Sequence, residues 1–370
     1  MKNQNAAVND DAPFETSGIL DFIMHVVDLR SDTVTLPSPE MHEAIFRADL
    51  GDDVFAEDST VNRLQQIAAE RLKMEAALFA TSGTMGNLIS VLTHCSRGEE
   101  IILGDISHIF LNEAGGISAL GGVFPHTIPN QPDGTLRLED ITNAIREENI
   151  HFPHTRLLCL ENTHNRCYGA VLTPAYTASA VALAKSRGLL VHLDGSRIFN
   201  AAVALGVDVS ELARGVDSVN FCLSKGLSAP VGSVICGSRD FIARARRIRK
   251  MVGGGMRQAG IIAAAGIVAL KNMVGRLVED HENARILAAG IKGIPGLATE
   301  PKRVQTNIVY IDLLATDLTD DEFIKRLAEN GLKLSHTGPR RFRMVTHYGI
   351  VRDDIQKALN ILGSVMQKNM

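Results

Sequence analysis

Leu190-Val191-His192-Leu193-Asp194-Gly195-Ser196-Arg197 is a short, mostly apolar run that breaks into a polar island at its carboxyl end. Leu190–Leu193 reads as a buried strand with Asp194 at its end. An aspartate in that place can hold a positive charge on a heteroaromatic nitrogen. A second run, Phe221-Cys222-Leu223-Ser224-Lys225-Gly226-Leu227, puts Lys225 31 residues after Asp194. A lysine among apolar neighbours loses hydration, so its amine deprotonates more readily and can attack a carbonyl. Singly, these residues read as a strand-end aspartate and a solvated lysine. Together they are the two parts a pyridoxal phosphate site needs, a Schiff-base lysine and an acid for the pyridinium nitrogen.

Short apolar runs recur on both sides of this pair. Ala77–Ala80, Ile101–Leu103, Leu157–Leu160, Ser218–Phe221 and Val231–Cys236 predict strands, and Asn62–Lys73 and Ala175–Lys185 predict helices between strands. From Val26 to about Lys271 the alternation implies an α/β fold, a mostly parallel sheet with helices on both faces. After a helical stretch from Ala259 to Asn272 the pattern changes. Val309–Leu313 and Phe342–Val345 predict strands, and Asp321–Asn330 and Asp353–Met366 predict helices. The expected organisation is an N-terminal extension over residues 1–25, a large domain over 26–275 and a smaller C-terminal α+β domain over 276–370.

With 370 residues, 45% of them hydrophobic and 22% charged, the chain can bury a large core. A net charge of −4 gives no broad basic footprint for nucleic acid. The basic run Arg244, Arg246, Arg247, Arg249 and Lys250 is spread around a helix axis. Five cysteines without a C-x-x-C pair fit reduced, buried thiols better than a disulfide framework. Met1–Ser17 lacks the basic start and apolar stretch of a secretory signal, and no apolar run reaches the ~20 residues of a membrane span. The expected location is the cytoplasm, with neither membrane nor nucleic acid as a partner.

Thr81-Ser82-Gly83-Thr84 lies between the strand Ala77–Ala80 and the helical pattern Met85–Leu92. A strand, a small-residue turn and a helix start leave free backbone N–H groups and hydroxyls for a phosphate. Ser and Thr at such a place are usually plain helix caps, but the aspartate and lysine that follow suit a phosphate-bearing cofactor. Neither G-x-G-x-x-G nor G-x-x-x-x-G-K-[ST] follows a strand, which leaves a nucleotide-binding module little support.

Asp28-Leu29-Arg30-Ser31-Asp32-Thr33-Val34-Thr35 and Gly51-Asp52-Asp53-Val54-Phe55 resemble the opening of the low-specificity threonine aldolases, β-eliminating lyases of the fold-type-I pyridoxal phosphate enzymes. The resemblance continues through Ser82-Gly83-Thr84, Ser107-His108-Ile109, Glu113-Ala114-Gly115-Gly116, Glu161-Asn162-Thr163-His164-Asn165, the aspartate and lysine runs, and Gly253-Gly254-Gly255-Met256-Arg257-Gln258. It spans about residues 26 to 350 and implies an aspartate aminotransferase-like large domain.

The resemblance also implies roles. Lys225 is the lysine that carries the cofactor, and Asp194 is the acid on the pyridine nitrogen. Ser82, Gly83 and Thr84 form the phosphate turn, and Lys250 and Arg257 are cations that reach a phosphate, of a neighbouring subunit. Ser31, Arg197 and Arg343 hold the substrate carboxylate, a task that suits the planar fork of arginine. Arg340 and Arg341 lie close enough in sequence to exchange with Arg343. His108 resembles the histidine stacked on the cofactor ring and His151 one near the substrate hydroxyl. Either histidine, or a bound water, could be the base. His164 reads as ordering its loop.

Two departures stand out. Ser196 replaces the usual alanine, which is expected to alter carboxylate holding or ring packing, and Phe55 replaces a usual tyrosine. The implied activity is cleavage of threonine, allo-threonine and related β-hydroxy-α-amino acids to glycine and an aldehyde. The rivals are an aldolase that prefers phenylserine and another β-eliminating reaction on the same fold. No metal is implied. The implied assembly is a homo-oligomer, a tetramer built from dimers.

Overall fold

The runs that end at Asp194 and precede Lys225 are adjacent strands in the middle of a seven-stranded sheet. The computed structural model describes residues 25–314 and 317–367, so the expected extension lies, up to residue 24, outside the described residues. After a short β1 (Val27–Asp28), the sheet takes up β2 (Ala76–Ala80), β3 (Glu100–Gly104), β4 (Phe124–Ile128), β5 (Thr155–Glu161), β6 (Leu190–Asp194), β7 (Ser218–Cys222) and β8 (Ser233–Gly237). Their order is β2-β8-β7-β6-β5-β3-β4. Strand β8 is antiparallel to both of its neighbours, and the other pairs are parallel.

This is the mostly parallel α/β sheet expected. Strands β3, β5, β6 and β7 are buried along nearly their whole length, which is why they read as apolar runs. Strand β4 was not anticipated. It is an edge strand with a half-exposed face and Pro125 in its second position, so it carries neither an apolar run nor clean alternation. Strand β8 starts at Ser233 and not at Val231, because Gly232 turns with a φ of +116°.

Register is what builds a site. Glu161 of β5 pairs with Asp194 of β6, and Asp194 pairs with Asn220 of β7. Three polar side chains therefore stand side by side at the carboxyl ends of parallel strands, where open α/β sheets bind ligands.

The second unit holds β9 (Leu297–Ala298), β10 (Ile308–Leu313), β11 (Leu332–Lys333), β12 (Ser335–Gly338) and β13 (Arg341–Val345). Four of them form an antiparallel sheet in the order β12-β13-β10-β9, packed with the helices Asp320–Glu329 and Arg352–Gln367. The division at 275/276 is not clean. Helix Leu277–Ile291 buries Leu277 in the large core and Ala284, Leu287, Ala288 and Ile291 in the small one. At the other end of the chain, β1 pairs with β11, and Val27 and Leu29 pack in the small core although the expected boundaries assign them to the large domain.

Among the described residues no single helix is long and apolar enough to cross a membrane. A bent pair, Gly260–Met273 and Leu277–Ile291, passes by length and composition at an angle of 69°. Its Ala263, Leu270, Leu277 and Leu287 are buried within the protein.

Candidate active site

Asp194 is buried at the end of β6. Its Oδ1 accepts from the Ser196 backbone N–H at 3.1 Å and the Ser196 hydroxyl at 2.8 Å, and its Oδ2 accepts from Asn87 Nδ2 at 2.9 Å. Burial works to raise this carboxyl, but the charges of His108 and Lys225 and the Ser196 hydrogen bond hold it below its ordinary value. An ionised carboxylate with no cation bonded to it suits a protonated ring nitrogen. The Ser196 hydroxyl thus serves Asp194, where the sequence suggested an effect beside Arg197.

The Ser82-Gly83-Thr84 turn opens the helix Gly83–His94, and the Ser82 hydroxyl caps it by accepting from Met85 N–H at 3.1 Å. Asn220 on β7 donates to the Gly83 carbonyl at 3.0 Å and clamps the helix start to the sheet. Gly86 makes room for that clamp, since a Cβ there would overlap the Asn220 amide. Lys225 lies half-buried in the turn between β7 and β8, its carbonyl accepting from Thr35 Oγ1 at 3.3 Å. Its charge helps keep both Asp194 and Asp32 ionised.

On the carboxylate-holding side, Arg197 is buried and committed in part. Its Nε and Nη2 each donate at 2.6 Å to the two oxygens of Asp32, which is 0% exposed. Burial works to raise Asp32, but the Arg197 guanidinium and its paired hydrogen bonds drive the carboxyl far below the carboxylate range. Ser31, next in the chain, accepts from Thr33 N–H at 3.2 Å. Arg343 donates to Asn165 Oδ1 at 2.7 Å and to the Arg30 carbonyl at 3.2 Å, while its buried Nε has no partner. Burial, then the like charge of Arg197, lowers its pKa. Its two rivals are spoken for. Arg340 binds the carbonyls of Leu313, Leu314 and Leu318, and Arg341 pairs with Asp312.

His108 begins a short helix, with its N–H on Glu161 Oε2 at 2.7 Å and its Nδ1 on Glu113 Oε1 at 2.8 Å. Burial disfavours its charged form, but the Glu113 hydrogen bond and the Asp194 charge outweigh this and raise its pKa. Glu161 also accepts from Asn165 N–H at 2.9 Å, so one carboxylate supports both His108 and the loop that meets Arg343. Ligand atoms of His108, Glu113 and Asp194 lie within 4.8 Å of one another, a donor set also open to a metal ion. Glu113 Oε1 and both Asp194 oxygens already accept N–H or O–H groups.

Not every expected residue joins this cluster. His151 is exposed and precedes the amino end of β5, while Glu161 ends that strand roughly 20 Å further on. The expectation that His151 stands at the substrate hydroxyl is not met within one chain. Lys250 is exposed, and Arg257, also exposed, pairs with Asp52 at 2.9 Å. Phe55 is 70% exposed. His164 is buried 3.9 Å from Glu161, with neither ring nitrogen hydrogen-bonded. Sequence reading missed Asp32, Asn87, Glu113 and Glu161 as members of the cluster. Three of them lie inside motifs quoted above, but only pairing across the fold reveals their partners.

The fold is that of the fold-type-I pyridoxal phosphate enzymes. The threonine aldolase of Leishmania major has it with a TM-score of 0.79 at 21% identity, over 92% of this chain and 99% of that one. The β-eliminating lyase family matches residues 28–314, and the chain belongs to that family. It is 47% identical over 348 residues to low-specificity L-threonine aldolase 1 of Arabidopsis thaliana, covering 93% of this chain and 97% of that one. To the low specificity L-threonine aldolase of Escherichia coli K12 it is 50% identical over 286 residues, 77% of this chain and 84% of that one.

Proposed function

We propose that this chain is a low-specificity L-threonine aldolase, which cleaves threonine, allo-threonine and related β-hydroxy-α-amino acids to glycine and an aldehyde, acetaldehyde in the case of threonine. The observation that carries the reading is the spacing of unlike groups around Lys225. The charge of Lys225 acts on the buried Asp194 and on the Asp32 that holds Arg197. The capped start of Gly83–His94 packs by Cys222, three residues before the lysine, and Arg343 is near enough to Arg197 to feel its charge. That donor set fits pyridoxal 5′-phosphate: Asp194 for the ring nitrogen, Ser82, Gly83 and Thr84 for the phosphate, Lys225 for the aldehyde.

When bound, that cofactor supplies an electron sink for the pair released as Cα–Cβ breaks. Asp194 provides the fixed negative charge that retains a proton on the facing nitrogen. Ser31, the remaining nitrogen of Arg197 and the Arg343 guanidinium grip the substrate carboxylate. Gripping at that end sets which bond at Cα stands ready to break, so binding energy is spent on positioning. His108 accepts the β-hydroxyl proton as the aldehyde leaves, and a proton delivered to Cα completes glycine.

We also place this enzyme in a cytoplasmic homotetramer. Leu36, Phe46, Phe55 and Met251 are exposed apolar side chains that burial between subunits would cover, and Arg257, paired with Asp52, is a solvent-facing cation that a neighbouring subunit could use. The five cysteines are free and buried, as a reducing compartment allows.

A panel of threonine, allo-threonine, phenylserine and serine, read as glycine plus aldehyde, tests the reaction. Ammonia plus a keto acid from threonine would reject it. The Lys225→Ala protein should lose the borohydride-sensitive visible absorption of the wild type and about 10³-fold or more of its activity. Retention of both would exclude Lys225 from the role.

A further inference from the structure

We propose that Glu113 is a positioning residue that holds His108 as its Nδ1–H tautomer, leaving Nε2 as the atom that takes the substrate's hydroxyl proton. This rests on the aldolase reading above, and it follows from the direction of the hydrogen bonds around one amide.

Asn87 uses its full bonding capacity. Its Nδ2 donates to Asp194 Oδ2 at 2.9 Å and to Glu113 Oε1 at 2.8 Å. Its Oδ1 accepts from Asn220 Nδ2 and His192 Nε2, each at 3.1 Å. Turned over, the amide oxygen would face two carboxylate oxygens, so only one orientation is allowed. Beyond it the chain of bonds has one direction. His192 donates through Nε2, so its Nδ1 accepts from Ser218 Oγ at 2.8 Å. That hydroxyl oxygen accepts from His94 Nε2, also at 2.8 Å, which leaves His94 Nδ1 bare, and this atom is indeed buried without a partner. Burial keeps both rings neutral, His192 pushed down to about 4 and His94 to about 3.

Asn87 therefore requires an acceptor at Glu113 Oε1. The same oxygen lies 2.8 Å from His108 Nδ1, so that nitrogen carries the hydrogen. Against its burial, the hydrogen bonds from His108 and Asn87 favour an ionised Glu113, and an ionised Oε1 can only accept. The His108 side chain is 27% exposed against 3% for Glu113, so the imidazole edge away from Glu113 is the one open to a substrate. The ionisable groups that face His108 are Glu113 on its own segment, Glu161 at the end of β5, Asp194 at the end of β6 and Lys225 after β7. Glu113 and Asp194 favour its charged form, and Lys225 and burial oppose it.

The test is nitrogen-15 NMR of histidine-labelled holoenzyme, with His108 identified as the signal lost in His108→Asn. Wild type should show Nδ1 protonated and Nε2 with a lone pair. In Glu113→Gln the Asn87 amide still demands an oxygen at the shared site, so the tautomer should persist. The His108 titration and the acid limb of kcat/KM should both move down by about one pH unit. Glu113→Leu should mix the tautomers and lower kcat by about 100-fold with little change in KM. The absorption of the bound cofactor and the melting temperature report whether that variant is folded; if it is not, the Gln variant decides alone. An Nε2–H tautomer in wild type, or an unmoved His108 titration in Glu113→Gln, would overturn the proposal. A wild type that shows the Nδ1–H signature but releases no glycine from threonine would instead remove the reaction and leave the tautomer standing.

Discussion

Asp32 shows how much one buried carboxylate can decide. It takes two of the donor nitrogens of Arg197, is itself held by Asn307 at 3.2 Å, and thereby aims the rest of that guanidinium. In Asp32→Asn the buried Arg197 keeps its shape-matched neighbour but loses the opposing charge, a change that costs about 3–5 kcal/mol for buried pairs. We expect a lower melting temperature and a KM for threonine raised about tenfold or more, with the cofactor still bound by its absorption. A wild-type KM would show that Arg197 needs no orienting partner. Because the folded carboxyl lies far below its unfolded value, the stability it contributes is present above the ordinary carboxylate range and is lost only in stronger acid. It leaves no mark on the neutral pH profile. Ser196 teaches the same lesson on a smaller scale. Its identity was plain from sequence, but the direction of its hydroxyl, toward Asp194, came from the turn it occupies.

Among the elements, the helix Gly83–His94 carries the most function for its length. Its cap belongs to the turn we assign to phosphate, its second turn holds Asn87, and its last holds His94. It is fastened to β7 through Asn220, which reaches both Gly83 and Asn87, and that fastening depends on the missing side chain of Gly86. Gly86→Ala would add helix propensity yet push the Asn220 amide away. We expect the apparent dissociation constant for pyridoxal phosphate, followed by absorbance, to rise about tenfold or more; unchanged affinity would mean the clamp is dispensable. Elements with strong local signals were legible in advance. Ser59–Leu72, Pro174–Ser186 and Arg352–Gln367 match expected helices to within a few residues, because helix-forming composition and, in the first two, the capping side chains of Asp58 and Thr173 are local properties. The expected Ala259–Asn272 helix also ends within a residue of its place, but its last stretch, Ala269–Met273, is a wider π-turn that the periodicity does not announce.

Across the whole molecule, buried neutral histidines set the response to acid. His94 is pushed down to about 3, and His192 and His281 to about 4, by burial. Their stabilisation is complete above the unfolded histidine value of ~6.5 and is lost as pH falls toward those folded values. Melting temperature should therefore drop between about pH 6.5 and 4, and His192→Gln should flatten part of that drop. A level profile across the window would contradict the assignment. The motifs shared with the low-specificity threonine aldolases named the reaction family by resemblance, and the sequence by itself determined the alternation of strands and helices, the polar islands at Asp194 and Lys225 and the capped turn after β2. All of these are written in neighbouring residues and their period. Only the tertiary structure decided that Asp32 grips Arg197 165 positions away, that Asn87 joins Asp194 across 107, and that His151 stands apart from the cluster. Such partnerships come from strand register and crossover connections, which bring distant segments into contact without leaving a periodic trace along the chain.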